Sequence, residues 1–208
     1  MRRLNTFVVV AAFMLTAAGI LPLTAIAASE SQSSIEQTFQ KAKQDYLQKN
    51  MNLAAGQIQK GASYMKAKAE NASVKGKEAL NASAKELEKL ADDVKKGTLT
   101  SVKRMEETFA RAYVALAADF HIKSTESWAK KEKAKAGDAL NSAIKYLERG
   151  FAWAGQKIET STNEAMKKAK ELSLKLKKKS GVVAEDAGKV LKDAGNEIEK
   201  FGERISSK

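Results

Sequence analysis

Residues 128–147 read WAKKEKAKAGDALNSAIKYL, and residues 46–65, 82 positions earlier, read YLQKNMNLAAGQIQKGASYM. Each stretch opens on an aromatic residue, crosses a short polar segment, and continues with small and apolar residues at helical spacing. In the later stretch Ala136, Leu140, Ala143, Leu147, Gly150 and Ala154 fall at alternating steps of four and three, with Ala139, Ile144 and Phe151 widening the stripe. That spacing predicts a helix with one apolar face, and the polar segment ahead of it predicts a turn out of a preceding helix. Sliding the chain by 82 residues pairs Tyr46 with Trp128, Ala54 with Ala136, Ile58 with Leu140, Gly61 with Ala143, Tyr64 with Tyr146 and Met65 with Leu147. Leu90 then meets Leu172, Val94 meets Leu176, and candidate turns at 50–53, 72–77, 132–135 and 155–162 coincide between the copies.

The expected fold is therefore all-α: an antiparallel helical bundle built from two helical-hairpin repeats with a period of about 82, over residues 35–97 and 98–180, the second including a connecting helix. Should the later breaks fail, helices of about 45 residues would reach about 67 Å. Outward from the repeats the composition agrees. Ala, Lys, Glu and Leu dominate, the single proline is Pro22, and pairs such as Asp45/Lys49, Glu126/Lys130, Glu164/Lys168 and Glu171/Lys175 place an acid four residues ahead of a base. A helix from about Leu99 to Glu132 carries a bulkier face of Val102, Met105, Phe109, Leu116, Phe120 and Trp128, with Gly97 as a stop before it and Thr98 or Thr100 as a cap.

The first 27 residues have a signal peptide's anatomy: Arg2 and Arg3, an apolar run, Pro22, and the small residues Ala25 and Ala27 flanking Ile26. An uncleaved anchor is the alternative, since the apolar run approaches bilayer length. Cleavage after Ala27 takes 27 of 208 residues and leaves 181, with residues 28–34 as a flexible lead. Without cysteine, the product has no disulfide or thiolate metal site, and packing alone stabilises it. Loss of Arg2 and Arg3 lowers the formal charge from +12 to +10, a balance suited to lipid head groups, lipopolysaccharide, wall polymers or acidic proteins; no nucleic acid is expected.

The excess charge is local. Lys167, Lys168, Lys170, Lys175, Lys177, Lys178 and Lys179 crowd into thirteen residues with Glu171 as the single acid. Lysines favour a helix C-terminus, but a cap needs one or two, so contact with an anionic surface is the second reading. From residue 181 to 208 a heptad helix follows, with Gly181, Gly188, Gly195 and Gly202 seven apart and a seam of Leu191, Ala194, Ile198, Phe201 and Ile205, joined by Ala184 and Ala187. Such a seam docks on the chain's own bundle, on a partner helix or second copy, or on a membrane surface.

No catalytic, cofactor or metal constellation is legible. His121, the single histidine, has Ala117, Ala118, Ser124 and Thr125 at helical spacing and reads as a packing or surface residue. Ser63/Lys66, Ser127/Lys130 and Ser142/Lys145 match a Ser-x-x-Lys spacing that serine and lysine density produces by chance, without companion motifs. Trp128, Trp153, Tyr46, Tyr64 and Tyr146 suit either a ligand groove or the core.

The segment KAGDALNSAIKYL at 135–147, following WAKKEK, resembles exported helical proteins of the YfdX type, mainly over 117–155 and more weakly over 35–72. The helix pairs are also similar to tetratricopeptide units, from which the 82-residue period and missing proline depart. The YfdX resemblance implies a periplasmic, non-enzymatic protein linked to envelope stress. The functional expectation is a periplasmic or secreted helical interaction protein, structural or chaperone-like, holding a protein partner or a second copy; the alternative is an anionic-surface binder acting through the lysines and the amphipathic tail. Terminal sequencing of the exported product should begin at Ala28, and a product that begins at Met1 in the membrane fraction would instead mark an anchor.

Overall fold

The computed structural model describes residues 23–178 and 181–206. Most of the expected signal peptide, residues 1–22, lies outside them, as does Lys179. Seven helices follow in order: α1 (Leu23–Leu47), α2 (Met51–Glu70), α3 (Val74–Lys95), α4 (Val102–Ala129), α5 (Lys133–Ala154), α6 (Thr160–Lys177) and α7 (Ala184–Ser206). No strand occurs among the described residues. The stretch at 28–34, expected as a loose lead, lies within α1, whose run of Ala, Ser, Glu and Gln contains no helix breaker.

The breaks have identifiable local causes. Ser73 caps α3, its Oγ accepting from the Gly76 N–H, and Ser101 caps α4 by accepting from Arg104, so the cap sits just past the two threonines expected for it. Gly97 (φ 69°) and Gly155 (φ 61°) end α3 and α5 in the left-handed conformation that glycine adopts without strain. Lysine takes that conformation at Lys49 and Lys131, both with φ 61°. In each case the next N–H folds back on a carbonyl five residues earlier, Asn50 to Asp45 at 2.8 Å and Glu132 to Ser127 at 2.9 Å. The breaks at 71–73 and 155–159 rule out the long-helix alternative.

Consecutive helices pack on one another, and α7 closes over α4, α5 and α6. The deepest cluster joins α1, α4 and α5: Phe39 stacks on Phe109 with centroids 4.1 Å apart, while Tyr113 and Trp153 meet Phe39 edge-on at 5.8 and 6.3 Å. Gly61 lets α2 close over this cluster, since a Cβ there would lie 2.5 Å from a Phe39 ring carbon. Rising numbers on α1 meet falling ones on α4, through Glu36 with Tyr113, Phe39 with Phe109 and Lys43 with Glu106, so these two helices run in opposite directions. A second stack, Phe151 on Phe201 at 3.8 Å, fixes α7 to α5, and Gly150 clears room for the Phe201 ring.

Replacing Phe39 with Ala removes a fully buried ring that three helices share. It should cost about 3–5 kcal/mol, seen in urea unfolding as a lower midpoint with little change in slope.

Candidate functional site

Two groups of lysines that are far apart in sequence meet at one end of the molecule. A Cβ on Gly137, in the first turn of α5, would lie 2.7 Å from the Ser173 carbonyl oxygen and 3.0 Å from Lys177 Cγ, so this turn abuts the last turns of α6. Lys130, Lys131, Lys133 and Lys135 around the α4–α5 turn therefore lie at the same end of the molecule as Lys177 and Lys178, and all six side chains are exposed. Lys135 pairs with Glu132 at 3.1 Å and Lys177 with Asp138 at 2.8 Å. Among the described residues Lys130, Lys131, Lys133 and Lys178 have no ion-pair partner. The start of α5 repels cations through its dipole, and Lys133 and Lys135 sit there without an acid in the first turn.

The lysine run expected to act as one patch is divided by the fold. Lys167, Lys168, Lys170, Lys175, Lys177 and Lys178 are exposed along α6, but Lys170 is bound to Glu148 of α5 and Lys177 to Asp138. Leu174 stands 57% exposed among them, an apolar side chain beside the charges. The basic surface includes the α4–α5 turn, which the sequence run did not contain.

The heptad seam has a different fate. Leu191, Ala194, Ile198, Phe201 and Ile205 are all buried against the chain's own helices, so the face offered to a partner helix is occupied from within. Two of the four spaced glycines face α4: a Cβ on Gly195 would strike the His121 ring and one on Gly202 would press on Val114. Gly188 and Gly181 have open space instead, and the close neighbours of Gly195 and Gly202 are side chains. His121 lies over Gly195 with Nε2 2.8 Å from the Leu191 carbonyl. A carbonyl only accepts, so this nitrogen carries a proton and the ring serves as a strut between α4 and α7.

Three carboxylates held between helices, Asp119 and Glu197 buried and Glu36 half-buried, were not legible beforehand. Glu36 of α1 accepts from Tyr113 Oη at 2.6 Å, Trp153 Nε1 at 3.2 Å and Gln40 Nε2 at 2.9 Å, with Arg149 at 3.9 Å. Burial, and then the hydrogen bond to this carboxylate, push the Tyr113 hydroxyl far above its usual range, so it stays a donor. Asp119, fully buried on α4, holds Lys123 at 2.7 Å through one oxygen and leaves the other unpartnered beside Gly76 in the first turn of α3, where the helix dipole favours an anion. Glu197 of α7 accepts from Thr162 and Lys200. The bonds of Glu36 to Tyr113 and Trp153 and of Glu197 to Thr162 each tie one helix to another.

The remaining candidates resolve in the same direction. Tyr146 and Trp153 are buried, Tyr46 donates to the Leu99 carbonyl at 3.3 Å, and the Tyr64 and Tyr146 hydroxyls meet at 3.2 Å, so these aromatics bind helices together and do not line a groove. Ser63 and Ser142 donate to carbonyls one turn back. A cleft of about 410 Å³ beside α7 is lined by Glu159, Glu197, Lys200, Glu203 and Arg204, a mixed-charge surface unlike the apolar pockets that hold small molecules. Among the described residues no cluster of His, Asp and Glu is arranged to hold a metal, and no helix is long and apolar enough to cross a membrane. Compared with protein-family models, curated proteins and solved structures, the chain matches none.

Burial pushes the Glu197 carboxyl up, while hydrogen bonds from Thr162 and Lys200 and the charges of Lys200 and Arg204 pull it down, and the balance lies below the ordinary 4.5. A depressed folded-state value stabilises the fold above the unfolded pKa, and that gain is lost as pH falls through the folded one. Glu197→Gln should therefore weaken the protein at about pH 7 and differ little from the native chain at about pH 3, as measured by urea unfolding at the two pH values.

Proposed function

We propose that the chain is an exported, non-enzymatic helical interaction protein that attaches to anionic surfaces of the cell envelope through the lysine-bearing end formed by the α4–α5 turn and the end of α6. The observation that carries this reading is the grouping of Lys130, Lys131, Lys133 and Lys178, exposed and without acidic partners among the described residues. Placing cations against the positive start of α5 works against local stability, and such local conflicts mark functional positions. Leu174 supplies an apolar contact beside the charges, as surface-lying helices do at a lipid interface. The signal-like first 27 residues and the YfdX-type resemblance support an envelope setting. Occupation of the α7 seam from within disfavours the tail as a partner-holding coiled coil.

The scaffold behind this surface is, on the same reading, an antiparallel bundle of two three-helix repeats 82 residues apart. Support comes from backbone detail that residue class alone cannot supply. The left-handed lysines Lys49 and Lys131 are 82 apart, as are the cap residues Asn50 (φ −85°, ψ 65°) and Glu132 (φ −83°, ψ 65°). The C-caps Lys96 (φ −82°) and Lys178 (φ −76°) keep the interval, and the hydroxyl contact between Tyr64 and Tyr146 joins two corresponding positions.

Sedimentation with phosphatidylglycerol-containing vesicles at about 0.02 M salt should carry the protein down, and about 0.5 M salt should release it. Changing Lys130, Lys131, Lys133 and Lys178 together to Gln should weaken that binding roughly tenfold or more, at about 1 kcal/mol per lysine, with the helical circular-dichroism signal unchanged. Equal sedimentation of native and variant chains, or binding indifferent to salt, would overturn the assignment.

A further inference from the structure

Three ion pairs join α3 to its neighbours in sequence: Lys66 of α2 with Glu88 of α3, Arg111 of α4 with Glu86 of α3 at 2.7 Å, and Arg104 of α4 with Asp93 of α3 at 3.1 Å. Eighty-two residues on, the corresponding positions are Glu148 and Lys170, Asp193 and Lys168, and Asp186 and Lys175. All six are charged and all six have the opposite sign. Glu148 and Lys170 form an ion pair, and Lys168 and Asp193 line one groove between α6 and α7. Charged residues make up 30% of the chain, so six charged counterparts out of six do not follow from composition. Other pairs between helices, Lys43 with Glu106, Lys177 with Asp138 and Arg204 with Glu159, have no charged counterpart pair. Where a pair does recur, the sign is reversed.

The reversal matters because the apolar faces do not distinguish the halves. Met105, Phe109, Ala112 and Leu116 are buried on α4, and the residues 82 further on, Ala187, Leu191, Ala194 and Ile198, are buried on α7. Val102 opens α4 and Ala184 opens α7, again 82 apart. By hydrophobic register alone, α7 could take the place of α4 against α3. In that exchange Asp186 and Asp193 would face Asp93 and Glu86, four acids together. With α4 on α6, Arg104 and Arg111 would face Lys175 and Lys168; with α2 on α6, Lys66 would face Lys170; with α5 on α3, Glu148 would face Glu88.

We propose that these inverted signs are a pairing code that keeps α2 and α4 on α3, and α5 and α7 on α6, within one chain and between chains. An exposed ion pair adds little stability on its own. What discriminates is the difference between attraction in the correct arrangement and repulsion in every exchanged one. The same code accounts for part of the lysine density on α6, since Lys168, Lys170 and Lys175 are the three positions that answer Glu86, Glu88 and Asp93.

The test recodes α5, α6 and α7 while keeping opposite signs at each corresponding pair of positions: Glu148→Lys, Lys168→Glu, Lys170→Glu, Lys175→Asp, Asp186→Arg and Asp193→Arg in one chain. Both halves then carry the same signs, and exchanged pairings become attractive. On dilution from denaturant, the fraction of recoded chain eluting in the native chain's own size-exclusion peak should fall roughly threefold or more, the loss appearing as larger species by light scattering. The correctly folded remainder should melt at the native temperature. Recovery as complete as the native chain's would overturn the proposal. If the recoded chain yields no folded protein, the native chain refolded in about 1 M sodium chloride, where charges are screened beyond about 3 Å, decides: a comparable loss of recovery supports the code, and unchanged recovery refutes it.

Discussion

The stack of Phe39 on Phe109, met edge-on by Tyr113 and Trp153, is the contact on which the arrangement of α1, α2, α4 and α5 depends. Without cysteine or a metal cluster among the described residues, burial must carry the stability, and this cluster is where the largest side chains meet. Its geometry needs space beside it. Gly61 supplies that space on α2, and Gly150 does the same for the Phe201 ring on α5, so small residues are placed where large neighbours cross. Once α1 lies against α4 in this register, Glu36 falls beneath the Tyr113 hydroxyl and the Trp153 indole, and a carboxylate that would be costly to bury alone is satisfied.

The helices and their breaks were legible because they depend on residues close in sequence. Gly97 announced a helix stop and the segment 155–162 a turn, the 3.6-residue stripe through Leu140 and Leu147 announced a buried face, and the seam of α7 announced its own register. What covers a seam is a separate question that periodicity does not answer. Leu191 and Phe201 would show the same heptad spacing against a second copy as against α4 and α5. Lys49 and Lys131 in the left-handed conformation were not legible, because lysine carries no preference for it and the turn imposes it.

The charged residues divide along the same line. Glu36, Asp119 and Glu197 gave no signal, since each is defined by partners on other helices: Glu36 by Tyr113 and Trp153, Asp119 by the start of α3, Glu197 by Thr162. The lysines of 167–178 were visible as a run, yet a run in sequence is not a patch in space. Helical geometry turns Lys170 and Lys177 toward acids on α5 and leaves Lys178 beside a turn from which it is separated by more than forty residues of chain. Density of one charge type therefore marks several tasks at once on a helix that has neighbours on two sides.

The bond from the Trp153 indole to Glu36 has an optical consequence. The chain has two tryptophans, one buried with its N–H on a carboxylate of α1 and one, Trp128, half-buried near the α4–α5 turn. Departure of α1 from the bundle would take the acceptor from the first indole and expose its ring to water, shifting its emission to longer wavelength, while the second would hardly respond. The protein thus carries an intrinsic fluorescent gauge of whether its opening helix is seated.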